Sequence, residues 1–253
     1  MRKERIRIPY YENFLDAIFF YPDDEDRRYP VVCKVHGLVS NDFQREEELA
    51  KKLTSQGIGY FVFHLSGFYN SSGVTSIQRS FENLDCVITF LTHHPRINPF
   101  RIGLYGVSMG GAIVTCHASR DPRIATIALQ TPMFDFQFMA NYPEFDNLWQ
   151  GLALTGMIRL PKDGVREEML SDIRGNSPMK CITKISPRPV PIVAGGKDKF
   201  MPLEGIKRLF SNAYYPKNFT VVNEADHNLS NETAKRETFT LITNFFAQKL
   251  VEA

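Results

Sequence analysis

One segment constrains the fold of this chain more than any other. A run of strand formers, Arg101-Ile102-Gly103-Leu104-Tyr105, leads into Gly106-Val107-Ser108-Met109-Gly110-Gly111. A small-residue helical run over 112–119 leads out. A serine is thereby set on a sharp strand-to-helix turn. Gly106 and Gly110 remove the side chains that would collide there, and the hydroxyl is left in the open. The five-residue G-x-S-x-G pattern occurs often by chance. With a strand before it and a helix after it, it has the context that a nucleophile elbow requires.

The rest of the chain alternates strand and helix patterns, which argues for a parallel sheet covered by helices. Strands are expected over 4–8, 14–21, 31–35, 60–65, 101–105, 124–129, 190–194 and 219–222. The first alternates charged and apolar residues, as an edge strand does. Helices are expected over 43–56, ended by Gly57, and over 77–92, 112–119, 203–212 and 231–251. No internal repeat is present. At 253 residues the chain is long enough for one large domain with a substantial core, and 1–253 is read as one domain.

The alternation stops between Thr131 and about Lys184. There the apolar side chains are dense but share no single period. They include Phe134, Phe136, Phe138, Met139, Tyr142, Phe145, Trp149, Leu152, Leu154, Met157 and Ile158. Two readings stay open. Two or three helices cover part of the core, or the segment at about 132–184 is a small lid inserted over a site and lined with aromatics. On the second reading Phe134, Phe136, Phe138 and Trp149 face a substrate.

Bulk properties exclude several functions. The formal net charge is +2, with 43% hydrophobic and 23% charged residues. No broad field favours nucleic acid or an anionic membrane. No apolar run is long enough to span a bilayer. The start, Met1-Arg2-Lys3-Glu4-Arg5, is charged and no apolar stretch follows it, so no signal peptide is expected. Cys33, Cys86, Cys116 and Cys181 lie far apart and form no C-x-x-C pair or His cluster. The first three sit in apolar runs as small hydrophobes. They are read as reduced and buried, in keeping with a cytoplasmic location. No metal or cofactor is expected, and the oligomeric state is left open.

A serine hydroxyl needs a general base, and that base needs a third group to orient it. Asp198 follows the strand at 190–194, just past Gly195-Gly196-Lys197. His227 follows the strand at 219–222, in Glu224-Ala225-Asp226-His227-Asn228. Both fall where parallel strands end, which is where such sheets place their sites. Asp226 is a rival acid, but it directly precedes His227, and neighbours on a loop rarely aim at each other's ring. Strand-end placement therefore favours Asp198. His117, His93 and His94 are read as surface or capping residues, and His36 as a structural hydrogen bonder. A developing oxyanion also needs donors. The backbone N–H of Met109 opens a helix and supplies one. In the loop His36-Gly37-Leu38-Val39-Ser40-Asn41, Gly37 permits a bend that presents the N–H of Leu38 as the other.

Taken together, His36-Gly37, Gly106-x-Ser108-x-Gly110-Gly111, Gly195-x-x-Asp198 and Asp226-His227 resemble the α/β-hydrolase superfamily, over nearly the whole chain. The size, the His-Gly loop and the modest insertion are similar to serine esterases related to feruloyl (cinnamoyl) esterases and monoacylglycerol lipases. The resemblance implies an α/β fold with an eight-stranded, mostly parallel sheet, and a triad of Ser108, His227 and Asp198. It implies oxyanion donors at Leu38 and Met109. One loop departs from it. Many relatives read D-x-x-G-x-G-x-S after the strand at 60–65. Here His64 stands in place of the Asp and Tyr69 in place of a Gly.

The expected activity is that of a serine carboxylesterase acting on small to medium apolar or aromatic esters through an acyl-enzyme on Ser108. An amide or peptide hydrolase of the acylaminoacyl-peptidase type is the alternative. A catalytically inactive binding module on the same fold is a more remote one.

Overall fold

The computed structural model describes residues 1–23, 27–38, 43–162, 165–172 and 175–252. Val39, Ser40 and Asn41 of the His-Gly loop lie outside them. Eight strands form one sheet in the order β1-β2-β4-β3-β5-β6-β7-β8. β1 (Arg2–Tyr10) is an edge, antiparallel to β2 (Asn13–Tyr21), which runs antiparallel to β4 (Gly59–Phe63). From there all pairing is parallel: β3 (Tyr29–Val35), β5 (Ile97–Val107), β6 (Ile124–Gln130), β7 (Val190–Gly195) and β8 (Lys217–Val222). β5 starts earlier than its strand formers suggest, because Ile97 pairs with Tyr29 across an irregularity in the ladder.

The inner strands are apolar on both faces, and their period of two sorts side chains between two layers. Val32, Tyr60, Val62 and Tyr105 join one core cluster. Val31, Cys33, Phe61, Phe63 and Leu104 join the other. The first layer is covered by α1 (Glu47–Ser55), which a short 3-10 turn at Phe43–Glu46 precedes, and by α9 (Glu232–Leu250). The second is covered by α2 (Ile77–His93) and α3 (Met109–Ala118). Side-chain caps fix two of these helix starts. Ser76 Oγ accepts from the Arg79 N–H, and Asn231 Oδ1 accepts from the Thr233 and Ala234 N–H groups.

Between β6 and β7 the chain forms α4 (Phe136–Ala140), α5 (Phe145–Leu154), α6 (Val165–Asp172) and α7 (Pro178–Cys181). α8 (Leu203–Asn212) then lies between β7 and β8. Phe136, Phe145, Trp149, Ile158 and Ile182 of the insertion all belong to the core, so the segment covers the sheet whatever else it does. Cys33, Cys116 and Cys181 are buried and Cys86 is half-buried, all as free thiols.

His117 is not a surface or capping residue. Every residue of α3 is buried, so a polar side chain there needs a partner, and His117 Nε2 bonds Asp121 Oδ2 at 2.7 Å one turn on. No helix of the described residues is long and apolar enough to cross a membrane.

The central strand leaves room for its covering helix. A Cβ on Gly103 of β5 would lie 2.8 Å from Phe246 Cε1. Phe246 is fully buried there. Phe246→Ala removes a ring that a tight site cannot refill, and should cost about 3–5 kcal/mol. The check is the urea midpoint, which falls while the slope stays the same.

Candidate active site

The elbow is a close-packed knot. Ser108 has φ 52° and ψ −121°, a backbone conformation that a non-glycine residue adopts only when its surroundings enforce it. A Cβ on Gly106 would meet Gly111 Cα at 2.7 Å, and one on Gly110 would meet Val35 O at 2.1 Å. The serine peptide is held from three sides. Its N–H donates to Gln130 O at 3.1 Å, and its carbonyl accepts from Gly111 N at 2.9 Å and Met133 N at 2.8 Å. β3, β6 and the start of the insertion thus all bear on one residue.

Two other strand ends converge on it. His227, on the loop after β8, has Nε2 3.1 Å from Ser108 Oγ. Its Nδ1 lies 2.8 Å from Oδ2 of Asp198, on the loop after β7. The Asp198 side chain is fully buried, and its Oδ1 accepts from the N–H groups of Phe200 and Met201 at 2.8 and 2.9 Å. That carboxylate cannot swing. It fixes the His227 tautomer with the proton on Nδ1, so that Nε2 accepts from the serine O–H. Asp226 turns elsewhere. Its Oδ1 accepts from Ser230 N at 2.8 Å, and that bond holds its carboxyl below the ordinary range.

The loop after β3 lies against the serine: a Cβ on Gly37 would sit 2.9 Å from Ser108 Cβ. His36 is fully buried and uses both ring nitrogens. Nδ1 donates to Gly37 O at 2.6 Å, and Nε2 accepts from Leu65 N at 3.0 Å. The carbonyl of Gly37 and the N–H of Leu38 belong to one planar peptide and point in opposite directions. Drawing the carbonyl toward His36 therefore turns the Leu38 N–H away from His36. The Met109 N–H opens α3 and has no intrahelical partner.

His64 and Tyr69, where the loop after β4 departs from its relatives, form an aromatic stack. The His64 ring lies 4.1 Å from that of Phe43 and 4.6 Å from that of Tyr69. His64 Nδ1 is 3.8 Å from Asp16 Oδ2. Tyr69 has φ 44°, in the left-handed region that favours glycine.

Most of the insertion's aromatics pack into the core. The Phe134 and Phe138 rings are 4.9 Å apart, with Phe138 half-buried. Phe134 follows Met133 directly. Phe134, Phe136 and Trp149 all lie within the core, Trp149 against Phe145 and Phe134 against α8, where a Cβ on Gly205 would sit 2.2 Å from its ring. Phe200 carries no motif, and pattern reading missed it. It is 42% exposed, and its ring lies 5.3 Å from that of His227. Its position two residues after Asp198 was the available signal. Two open grooves, of about 610 and 570 Å³, include none of Ser108, Asp198 and His227.

Among the described residues, Asp85, His117 and Asp121 bring ligand atoms within 4.8 Å of one another. Arg123 already bridges Asp85 and Asp121, at 2.5 and 2.7 Å. A cation would have to displace it, so the cluster is an ion-pair network.

A Ser–His–Asp arrangement at the C-terminal ends of β5, β8 and β7 in a mostly parallel eight-stranded sheet defines an α/β hydrolase. Residues 27–184 match the family described as serine aminopeptidase, S33, and the chain belongs to it. It is 26% identical over 220 residues to the uncharacterized protein YfhR of Salmonella typhimurium, covering 85% of this chain and 68% of that one. Its fold is similar to a soluble variant of monoglyceride lipase from Saccharomyces cerevisiae, with TM-score 0.77, 15% identity and 98% and 96% of the two chains covered. It is also similar to the esterase domain of a Rhodothermus marinus protein, with TM-score 0.72, 19% identity and 98% and 100% covered.

The buried His36 carries a pH signature. Burial, with a smaller push from His64, lowers its pKa from 6.5 to about 3. Between those values the unfolded chain binds the proton and the folded one does not. This group's contribution to stability is therefore present above about pH 6.5 and is lost as pH falls toward 3. Urea titrations of wild type and His36→Gln across pH 7 to 4 should give a shallower loss of stability for the variant on acidification.

Proposed function

We propose that the chain is a serine carboxylesterase whose catalytic residues are Ser108, His227 and Asp198. The observation that carries this reading is the unbroken hydrogen-bonded line from Ser108 Oγ through both His227 nitrogens to a buried carboxylate. His227 Nε2 takes the Ser108 proton as Oγ attacks an ester carbonyl. The Leu38 and Met109 N–H groups hold the oxyanion that develops. The tetrahedral intermediate collapses as His227 protonates the leaving alcohol. Water then attacks the acyl-enzyme with His227 again as base, and the acid is released. Asp198 keeps the imidazolium oriented and stabilised. No step draws on a metal or a cofactor.

The substrate class follows from what surrounds the serine. The exposed Phe200 ring borders His227. An aromatic ring at the edge of the site favours a small to medium apolar or aromatic ester. The segment at about 132–184 acts as a cap over this cleft. The reduced cysteines fit a cytoplasmic enzyme.

The family's description keeps peptide hydrolysis in view as the alternative. An aminopeptidase needs an acid for the substrate's free amine. Among the described residues, three acids on the loops around the triad are engaged already. Glu224 pairs with Lys197 at 2.5 Å, Asp226 caps Ser230, and Asp135 caps α4 through Gln137 N. That favours an ester over a peptide.

Rates on p-nitrophenyl butyrate test the assignment. Ser108→Ala should lose about 10⁶-fold in kcat, and Asp198→Asn about 10⁴-fold through the wrong tautomer. Asp226→Asn should stay within about threefold, since its carboxylate turns away from the ring. Full activity in Ser108→Ala refutes the assignment. Faster cleavage of the matching anilide than of the ester favours the peptidase alternative.

A further inference from the structure

Arg159, in the insertion, spends its guanidinium on backbone carbonyls of the loop after β4. Nε donates to Gly73 O at 3.0 Å, Nη1 donates to Tyr69 O at 2.8 Å, and Nη2 donates to Ser71 O. The backbone around it pairs with the same loop. Tyr69 N donates to Met157 O, Arg159 N to Gly67 O and Thr75 N to Arg159 O, each at 2.8 Å. Phe68 and Ile158 form an antiparallel bridge. A strand-like strap from the insertion is thus laced to the loop after β4.

That loop stands directly behind the oxyanion loop. The Phe68 ring packs edge-on against His36 at 4.7 Å, and the His64 ring lies 5.9 Å from it. Leu65 N bonds His36 Nε2, and His36 Nδ1 in turn orients the Gly37–Leu38 peptide. Within the loop, Tyr69 holds a positive φ of 44° without being glycine. Such a conformation is strained and persists only when its surroundings over-determine it. Both polar groups of its backbone are claimed from the strap, the N–H by Met157 O and the carbonyl by Arg159 Nη1.

From this we infer that Arg159 is a positioning residue for the oxyanion donor. It holds Tyr69 in its strained conformation, keeps Phe68 and Leu65 seated on His36, and so keeps the Leu38 N–H aimed at Ser108. The inference rests on the esterase reading of the site. The strap is fixed to the loop after β4, and Met133 is fixed to Ser108.

The test compares wild type, Arg159→Met and Arg159→Lys for p-nitrophenyl butyrate hydrolysis and for inhibition by an alkylthio trifluoromethyl ketone. That ketone adds to the serine as a tetrahedral adduct and so reports on the oxyanion donors. Arg159→Met should lower kcat on the order of tenfold, less than the roughly 10²–10³ that outright loss of a donor costs. KM should stay within about twofold, and inhibitor affinity should fall in proportion to kcat/KM. Arg159→Lys, which keeps the charge and can still donate to a carbonyl, should recover part of both. If Arg159→Met does not fold, the lysine variant carries the same comparison. A raised KM with unchanged kcat, or a lower Tm with unchanged kinetics and inhibition, overturns the inference while the esterase reading stands. A wild type that neither hydrolyses esters nor binds the ketone overturns both.

Discussion

Everything at this site depends on the backbone of Ser108 being held where serine would not go by itself. Its positive φ stores strain, and the strain persists because the turn has no room to relax. Gly110 lies against the carbonyl of Val35, Gly106 against Gly111, and the serine's own N–H and C=O are bound by β6, α3 and the insertion. The same packing brings Gly37 against the serine side chain. Ser108 and the loop after β3 are therefore parts of one close contact.

The second level is orientation by hydrogen bonds that leave no alternative. Asp198 is held by two N–H groups and holds His227, which faces Ser108. His36 is fixed at both nitrogens and sets a peptide plane. In both cases a buried polar group is fully used, so its geometry is determined by the partners it must keep. The loop after β4 extends this logic outward. Its aromatic stack and its ties to Arg159 make the wall behind the His36-Gly37 loop a joint product of two segments far apart in the chain.

How much of this was legible in the sequence follows from the range of each interaction. The elbow, the strand ends and the order Ser108, Asp198, His227 are coded locally, by glycines, apolar runs and a fixed chain direction. The alternation of Val31 with Val32 and of Tyr60 with Phe61 places side chains on two faces without any knowledge of the neighbours. His117 was misread because its burial depends on every side of α3 being covered, which no periodicity reveals. Phe136 and Trp149 look like Phe138 in sequence, and only packing separates the buried rings from the half-buried one. Arg159 is one of 30 Lys and Arg residues, and its carbonyl partners lie 86 to 90 residues away. Backbone acceptors carry no sequence signature, so nothing marked it.

The central claim is that Ser108, activated by His227, carries the acyl group between two half-reactions. It is tested most directly by acid-quenching the enzyme during turnover of a slowly released aryl ester and measuring the intact mass and the labelled peptide. The account predicts a mass increase of one acyl group, located on Ser108 and absent from Ser108→Ala. Turnover without any covalent adduct, or an adduct on another residue, contradicts it.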